Sequence, residues 1–85
     1  MREKHYTYIL YSAGLAQFYT GSAEDVEKRL AQHNSGKGKH TAKGVPWELV
    51  HREEYPIRQL AIKQESIIKK RGAKRYLNDK GIAVG

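Results

Sequence analysis

Glu65 is the residue whose neighbours most constrain its chemistry. Read as helix, the chain places Ala61, Ile62 and Ile68 one turn from it. A carboxylate framed by apolar side chains tends to be part-buried, and an unpaired buried charge is costly. Glu65 therefore needs a cation. Lys69 at i+4 offers a plain helical ion pair, worth about 0.3–0.5 kcal/mol; a metal ion is the other choice. Upstream, a Tyr lies near the start of one strand-like run, a Tyr-Thr-Gly closes the next, and Arg29 and His33 follow one turn apart. Other chemistries find no support. The histidines His5, His33, His40 and His51 show no His-x-x-x-His pair, and no Ser-His-Asp arrangement is visible. Gly36-Lys37-Gly38-Lys39 lacks the spacing and the Ser/Thr of a phosphate-binding loop. With no Cys, disulfides and zinc held by thiolates are excluded.

Charge points the same way. Sixteen Lys and Arg against nine Asp and Glu give a formal net charge of +7 on 85 residues. So dense a positive field attracts polyanions, nucleic acid first and an anionic membrane surface second. The cations cluster. Lys37, Lys39 and Lys43 stand with His40 among Gly36, Gly38 and Gly44, and Lys69-Lys70-Arg71 precedes Gly72. A glycine-rich basic loop can follow a phosphate backbone, and a merely solvated loop has the same composition. No apolar run approaches the roughly 20 residues of a membrane span, so no membrane partner is expected. A signal peptide is not expected after Met1-Arg2-Glu3-Lys4, which agrees with a reducing, cytoplasmic setting.

The elements that must hold these residues follow from pattern. The length supports a single small domain over residues 1–85, its motif-bearing part about 5–70. Arg2 to Lys4 reads as a loose polar lead-in. His5 to Tyr11 is aromatic and β-branched, which favours a strand with Tyr6, Tyr8 and Leu10 on one side. Gln17 to Thr20 is a second strand, ended by Gly21. A helix from Glu24 or Asp25 to about Asn34 carries Val26 and Leu30 as its apolar stripe, with Ser22 as a possible cap. After the loop Asn34 to Val45, a strand from Pro46 to about Glu54 alternates Trp47, Leu49 and His51 against Glu48, Val50 and Arg52. Pro56 suits the first turn of a second helix, buried over a wide arc, that reaches Lys70. A short helix, 73–79, follows, with Gly81 as its cap. The fold class is α/β (α+β), a three-stranded, mostly antiparallel sheet flanked by helices in the order β-β-α-β-α-α.

Tyr6-Thr7-Tyr8 and Tyr19-Thr20-Gly21 resemble the two halves of the GIY-YIG nuclease signature. Arg29 and His33 match its Arg-x-x-x-His, and Glu65 its helix-borne metal ligand. The Asn34–Gly44 loop is similar to that of the small stand-alone, URI-like bacterial members. The resemblance runs from about Tyr6 to Lys70. It implies a metal-dependent endonuclease that hydrolyses phosphodiester bonds in nucleic acid, DNA favoured, in a setting such as repair or recombination. It implies one divalent ion, Mg²⁺ or Mn²⁺, held by Glu65; a hard cation that keeps several waters needs few protein ligands. Tyr8 is then the candidate base, Arg29 the phosphate grip, Tyr19 an orienting group and His33 a hydrogen-bond partner or proton shuttle. The two tyrosine roles are interchangeable at this level, and Tyr6 and Tyr11 are read as packing. Lys37, Lys39, Lys43, Lys69, Lys70 and Arg71 are the candidate nucleic-acid contacts. The chain departs from the pattern at Tyr6, where the first Gly belongs, at Thr7 and Thr20 in place of Ile, and at Ser22, where many relatives put Lys. That last change keeps a second reading open, a weakly catalytic or non-catalytic nucleic-acid-binding protein on the same fold.

Overall fold

In the computed structural model, residues 4–84 are described; apart from Lys4, the lead-in lies outside them. Strands β1 (His5–Ser12), β2 (Gln17–Ala23) and β3 (Trp47–Tyr55) form one antiparallel sheet in the order β2-β1-β3. Helix α1 (Val26–Asn34) follows β2, and α2 (Arg58–Arg71) and α3 (Ala73–Asp79) follow β3. The element order is the expected β-β-α-β-α-α.

Strand alternation divides the core into two layers. On the α1 side, Tyr8 and Leu10 pack with Ala23, Val26 and Trp47. On the other, Ile9 packs with Ile68 of α2 and Leu77 of α3. Thr7 faces this second layer, and its hydroxyl donates to the Ala61 carbonyl at 2.7 Å, which ties α2 to the central strand.

Several expected boundaries are corrected. Gly21 does not end β2. Ser22 and Ala23 go on pairing with Thr7 and Tyr6, so Ser22 is a strand residue and cannot cap the helix. Asp25 is the cap, accepting the Lys28 N–H at 3.0 Å. β1 and β3 each extend one residue further than expected, to Ser12 and Tyr55. Pro56 lies outside α2, because Ile57 is extended (φ −137°, ψ 156°) and the helix opens at Arg58. The wide buried arc is also absent. Ala61 and Ile68 alone are buried on α2, while Ile57, Leu60, Ile62 and Ile67 are 42–46% exposed. So small a sheet is covered by one narrow helical stripe.

The alternation expected along β3 breaks at a bulge. Ile9 pairs with His51 and Leu10 with Leu49, leaving Val50 as an extra residue. Trp47 and Leu49 therefore face α1, but His51 faces the α2–α3 layer beside Tyr76. The Asn34–Val45 segment is tied to β3 at Asn34 and Thr41. The Asn34 side chain donates to the Trp47 carbonyl at 3.0 Å and accepts the Trp47 N–H, and the indole N–H donates to the Thr41 carbonyl at 2.7 Å. Trp47 is 6% exposed and is a core residue rather than a base-stacking one.

Candidate active site

Tyr8 lies mid-strand in the central strand, its side chain fully buried. It pairs across the sheet with Gly21. A Cβ on Gly21 would stand 2.7 Å from the Tyr8 hydroxyl and 3.2 Å from the Tyr19 ring. Glycine is needed there for close approach, which gives the Tyr-Thr-Gly spacing a packing reason. Two residues back along β2, Tyr19 points to the same side. Helix α1 runs over this side and brings His33, 8% exposed, to its last turn. The Tyr8 hydroxyl and His33 Nε2 are hydrogen-bonded at 3.1 Å. The Tyr19 ring lies 4.7 Å from the imidazole and 6.4 Å from Tyr8, centroid to centroid. The outer side of Tyr19 meets Trp47 at 6.3 Å.

Burial pushes the Tyr8 phenol up to about 12, with Tyr19 and Glu65 adding to the shift and Arg29 opposing it. Burial, and then the Arg29 charge, hold His33 below the ordinary imidazole range. At neutral pH the pair is a neutral phenol and a neutral imidazole. In the tautomer that leaves Nε2 unprotonated, the phenol is the donor. Arg29 itself is exposed on α1, with its charge close enough to lower both the Tyr8 phenol and the His33 imidazole.

Glu65 lies on α2 with its side chain 21% exposed, and Lys69 Nζ reaches it at 2.9 Å. Among the described residues no three His, Asp or Glu come together as a metal cluster. The donor set is thus one carboxylate. It retains oxygen lone pairs beyond the contact with a 58% exposed lysine. Hard oxygen donors with room for water suit Mg²⁺ or Mn²⁺, and the site fits such an ion on that chemistry.

The expected nucleic-acid contacts are distributed unevenly. Lys37 and Lys39 line a cleft of about 500 Å³ with Tyr19, Arg29, His33 and His40. Lys43 sits apart, in the one-turn 3₁₀ helix Ala42–Gly44. Lys69 and Lys70 line a second cleft with Glu65 and Ile62. Arg71 is engaged in a two-pronged pair with Asp79, at 2.9 and 3.0 Å. Two structural features were missed from sequence. The Asn34–Trp47 clamp joins residues 13 apart with no local pattern. The second is a polar cluster around Glu53, which accepts from His51 at 2.8 Å, from Tyr55 at 2.7 Å and from Tyr76. The bulge conceals this cluster from any reading by alternation.

Comparison with known proteins adds four findings. Residues 4–78 match the GIY-YIG catalytic domain. A UPF0213 protein of Streptococcus sanguinis is 39% identical over 72 residues, covering 84% of this chain and 82% of that protein. A UPF0213 protein of Natronomonas pharaonis is 40% identical over 70 residues, or 81% of each. The solution NMR structure of a UPF0213 protein from Bacillus halodurans superimposes with a TM-score of 0.55 at 32% identity, covering 92% of this chain and 83% of that one.

Proposed function

The chain belongs to the GIY-YIG family, and from that premise we propose that it is a divalent-metal-dependent endonuclease hydrolysing phosphodiester bonds in DNA. The observation that carries the reading is the Tyr8–His33 hydrogen bond at 3.1 Å, with Arg29 and Glu65 close enough to act on the same phenol. Phosphodiester cleavage needs a deprotonated water, a neutralised phosphate and a stabilised leaving oxygen. A phenol near 12 is a poor base alone. Paired with a neutral imidazole it becomes a relay: the Tyr8 oxygen takes a proton from the attacking water as its own proton passes to His33 Nε2. Hydroxide oxygen then bonds phosphorus, the bond to the leaving oxygen breaks, and that oxygen takes a proton from solvent. Arg29 grips the phosphate through its planar fork. Tyr19 orients the phosphate against the imidazole. Glu65 would hold Mg²⁺ or Mn²⁺, which when bound offsets charge on the phosphate and acidifies a water. Repair or recombination is the setting such an activity suits.

Nicking of supercoiled and branched DNA in Mg²⁺ or Mn²⁺ tests the proposal. Wild type is expected to cut, and Glu65→Ala to lose activity by roughly a hundredfold or more. Equal cutting by both removes Glu65 from the mechanism. A second reading, a binding protein without catalysis, is favoured by one contact, the Lys69 pairing that already neutralises Glu65. Under that reading neither protein cuts, and both bind DNA in a salt-sensitive way.

A further inference from the structure

Tyr19 borders two clefts. One is the cleft of Arg29, Lys37 and Lys39. The other, of about 780 Å³, lies between β2 and the α2–α3 junction, where Phe18, Tyr19, Lys69, Arg71, Lys74 and Arg75 line it. No Asp or Glu lines either one. We propose that the α2–α3 cleft is a second phosphate track, so that the substrate is a continuous strand held on both sides of the bond to be cut. This rests on the nuclease reading above and assigns to substrate two residues, Lys74 and Arg75, that the reading does not use.

The distribution of charge carries the inference. Of the four cations in this cleft, Lys69 is paired with Glu65 at 2.9 Å and Arg71 with Asp79 at 2.9 Å. Lys74 and Arg75 form no salt bridge among the described residues, and both are exposed. Adjacent unneutralised cations repel one another, and a polyanion relieves that repulsion. The opposite wall is chemically different. There β2 is an edge strand, and it turns the half-buried ring of Phe18 to this side and that of Tyr19 to the α1 side. A cationic wall facing an aromatic ring suits a nucleotide strand, with phosphates on the cations and sugar or base on Phe18. An acidic protein surface would use the cations and leave the ring idle. Because Tyr19 is common to both clefts, a strand crossing it meets Lys37 and Lys39 on one flank and Lys74 and Arg75 on the other.

The test is fluorescence anisotropy with a labelled single-stranded DNA of about 20 nucleotides, longer than the roughly 4–16 that one small domain covers. It is titrated over a range of NaCl in a Glu65→Ala background that holds the DNA uncut. Lys74→Ala/Arg75→Ala is compared with Lys28→Ala/Lys63→Ala, which removes equal charge from exposed α1 and α2 positions outside the cleft. The cleft variant is expected to bind roughly tenfold more weakly, its slope of log K against log salt shallower by about 1.4, roughly 0.7 for each phosphate of the single strand no longer held. The control is expected to keep its slope. Equal effects in the two variants, or none in either, overturn the track, the latter pointing to an acidic protein as the occupant. Nicking by the otherwise wild-type cleft variant separates the two proposals. If wild type cuts and the slopes are unchanged, the track fails and the nuclease stands. If wild type never cuts while the slope shifts as expected, the nuclease fails and the track remains as the DNA-binding surface of a binding protein.

Discussion

Gly21, Tyr8 and His33 act as one unit. A methyl at Gly21 would meet the Tyr8 hydroxyl at 2.7 Å, so the ring must leave its place against the imidazole. Gly21→Ala is therefore expected to cost about 1–3 kcal/mol, as overpacking does, and to cut activity as severely as Tyr8→Phe; a thermal melt and the nicking assay read the two effects. The same unit sets the pH behaviour. His33 titrates below its ordinary value of 6.5 in the folded chain. Its stabilising contribution is present above the unfolded value and is lost as pH falls through the folded one, where the relay also loses its acceptor. Tyr8 runs the other way, its pKa raised from 10.0 to about 12. Its contribution holds below 10 and is lost as pH climbs toward 12. A plot of melting temperature against pH should fall at both ends, and His33→Phe should remove the imidazole's share of the acid limb. The resemblance to the GIY-YIG signature singles out Tyr8, Tyr19, Arg29, His33 and Glu65 as candidates, and the fold brings Tyr8, Tyr19 and His33 together. The Tyr8–His33 bond was open to a guess only, since whether a helix reaches across a strand depends on where that helix begins, and Ser22 misdirects that reading.

Helix α3 is held to the sheet by polar contacts as well as Leu77. Glu53 of β3 receives Tyr76 of α3, Tyr55 and His51, with Lys80 at 3.7 Å, while Gln64 of α2 donates to the Tyr76 hydroxyl at 2.9 Å. Burial alone would raise Glu53, yet the hydrogen bonds from Tyr76, Tyr55 and His51 hold it below the ordinary carboxylate value. Its contribution is thus present at neutral pH and lost as pH falls through the lowered folded value. Glu53→Gln puts an amide N–H among donors. We expect it to cost about 1–3 kcal/mol and to speed amide hydrogen exchange in α3 more than in α1. Such a change would loosen the helix that carries Lys74 and Arg75 while leaving Tyr8 and His33 in place. Elements whose signals are local were legible, namely the tyrosine-rich strand, the helix striped by Val26 and Leu30, and Gly72 between two helices. The Glu53 cluster was not, because it gathers groups from β3, α2 and α3 that no single periodicity relates.

For the whole molecule, +7 on 85 residues was readable as a polyanion field, but only the folded chain shows it to be shared between clefts rather than spread evenly. Two-layer cores ordinarily demand that each strand keep strict alternation, and β3 does not. The single extra residue at Val50 reverses which side odd-numbered residues face, so that Trp47 and Leu49 serve one layer while His51 and Glu53 serve the other. Parity along this strand is thus a property of one position. Bringing Val50 into register opposite Ile9 would turn over everything after it at once: Arg52 and Glu54 would trade places with His51 and Glu53, and the anchor for α3 would be lost without any change to its own residues. A slip of one residue along the third strand would preserve every tyrosine of the first two strands and still lose the third helix.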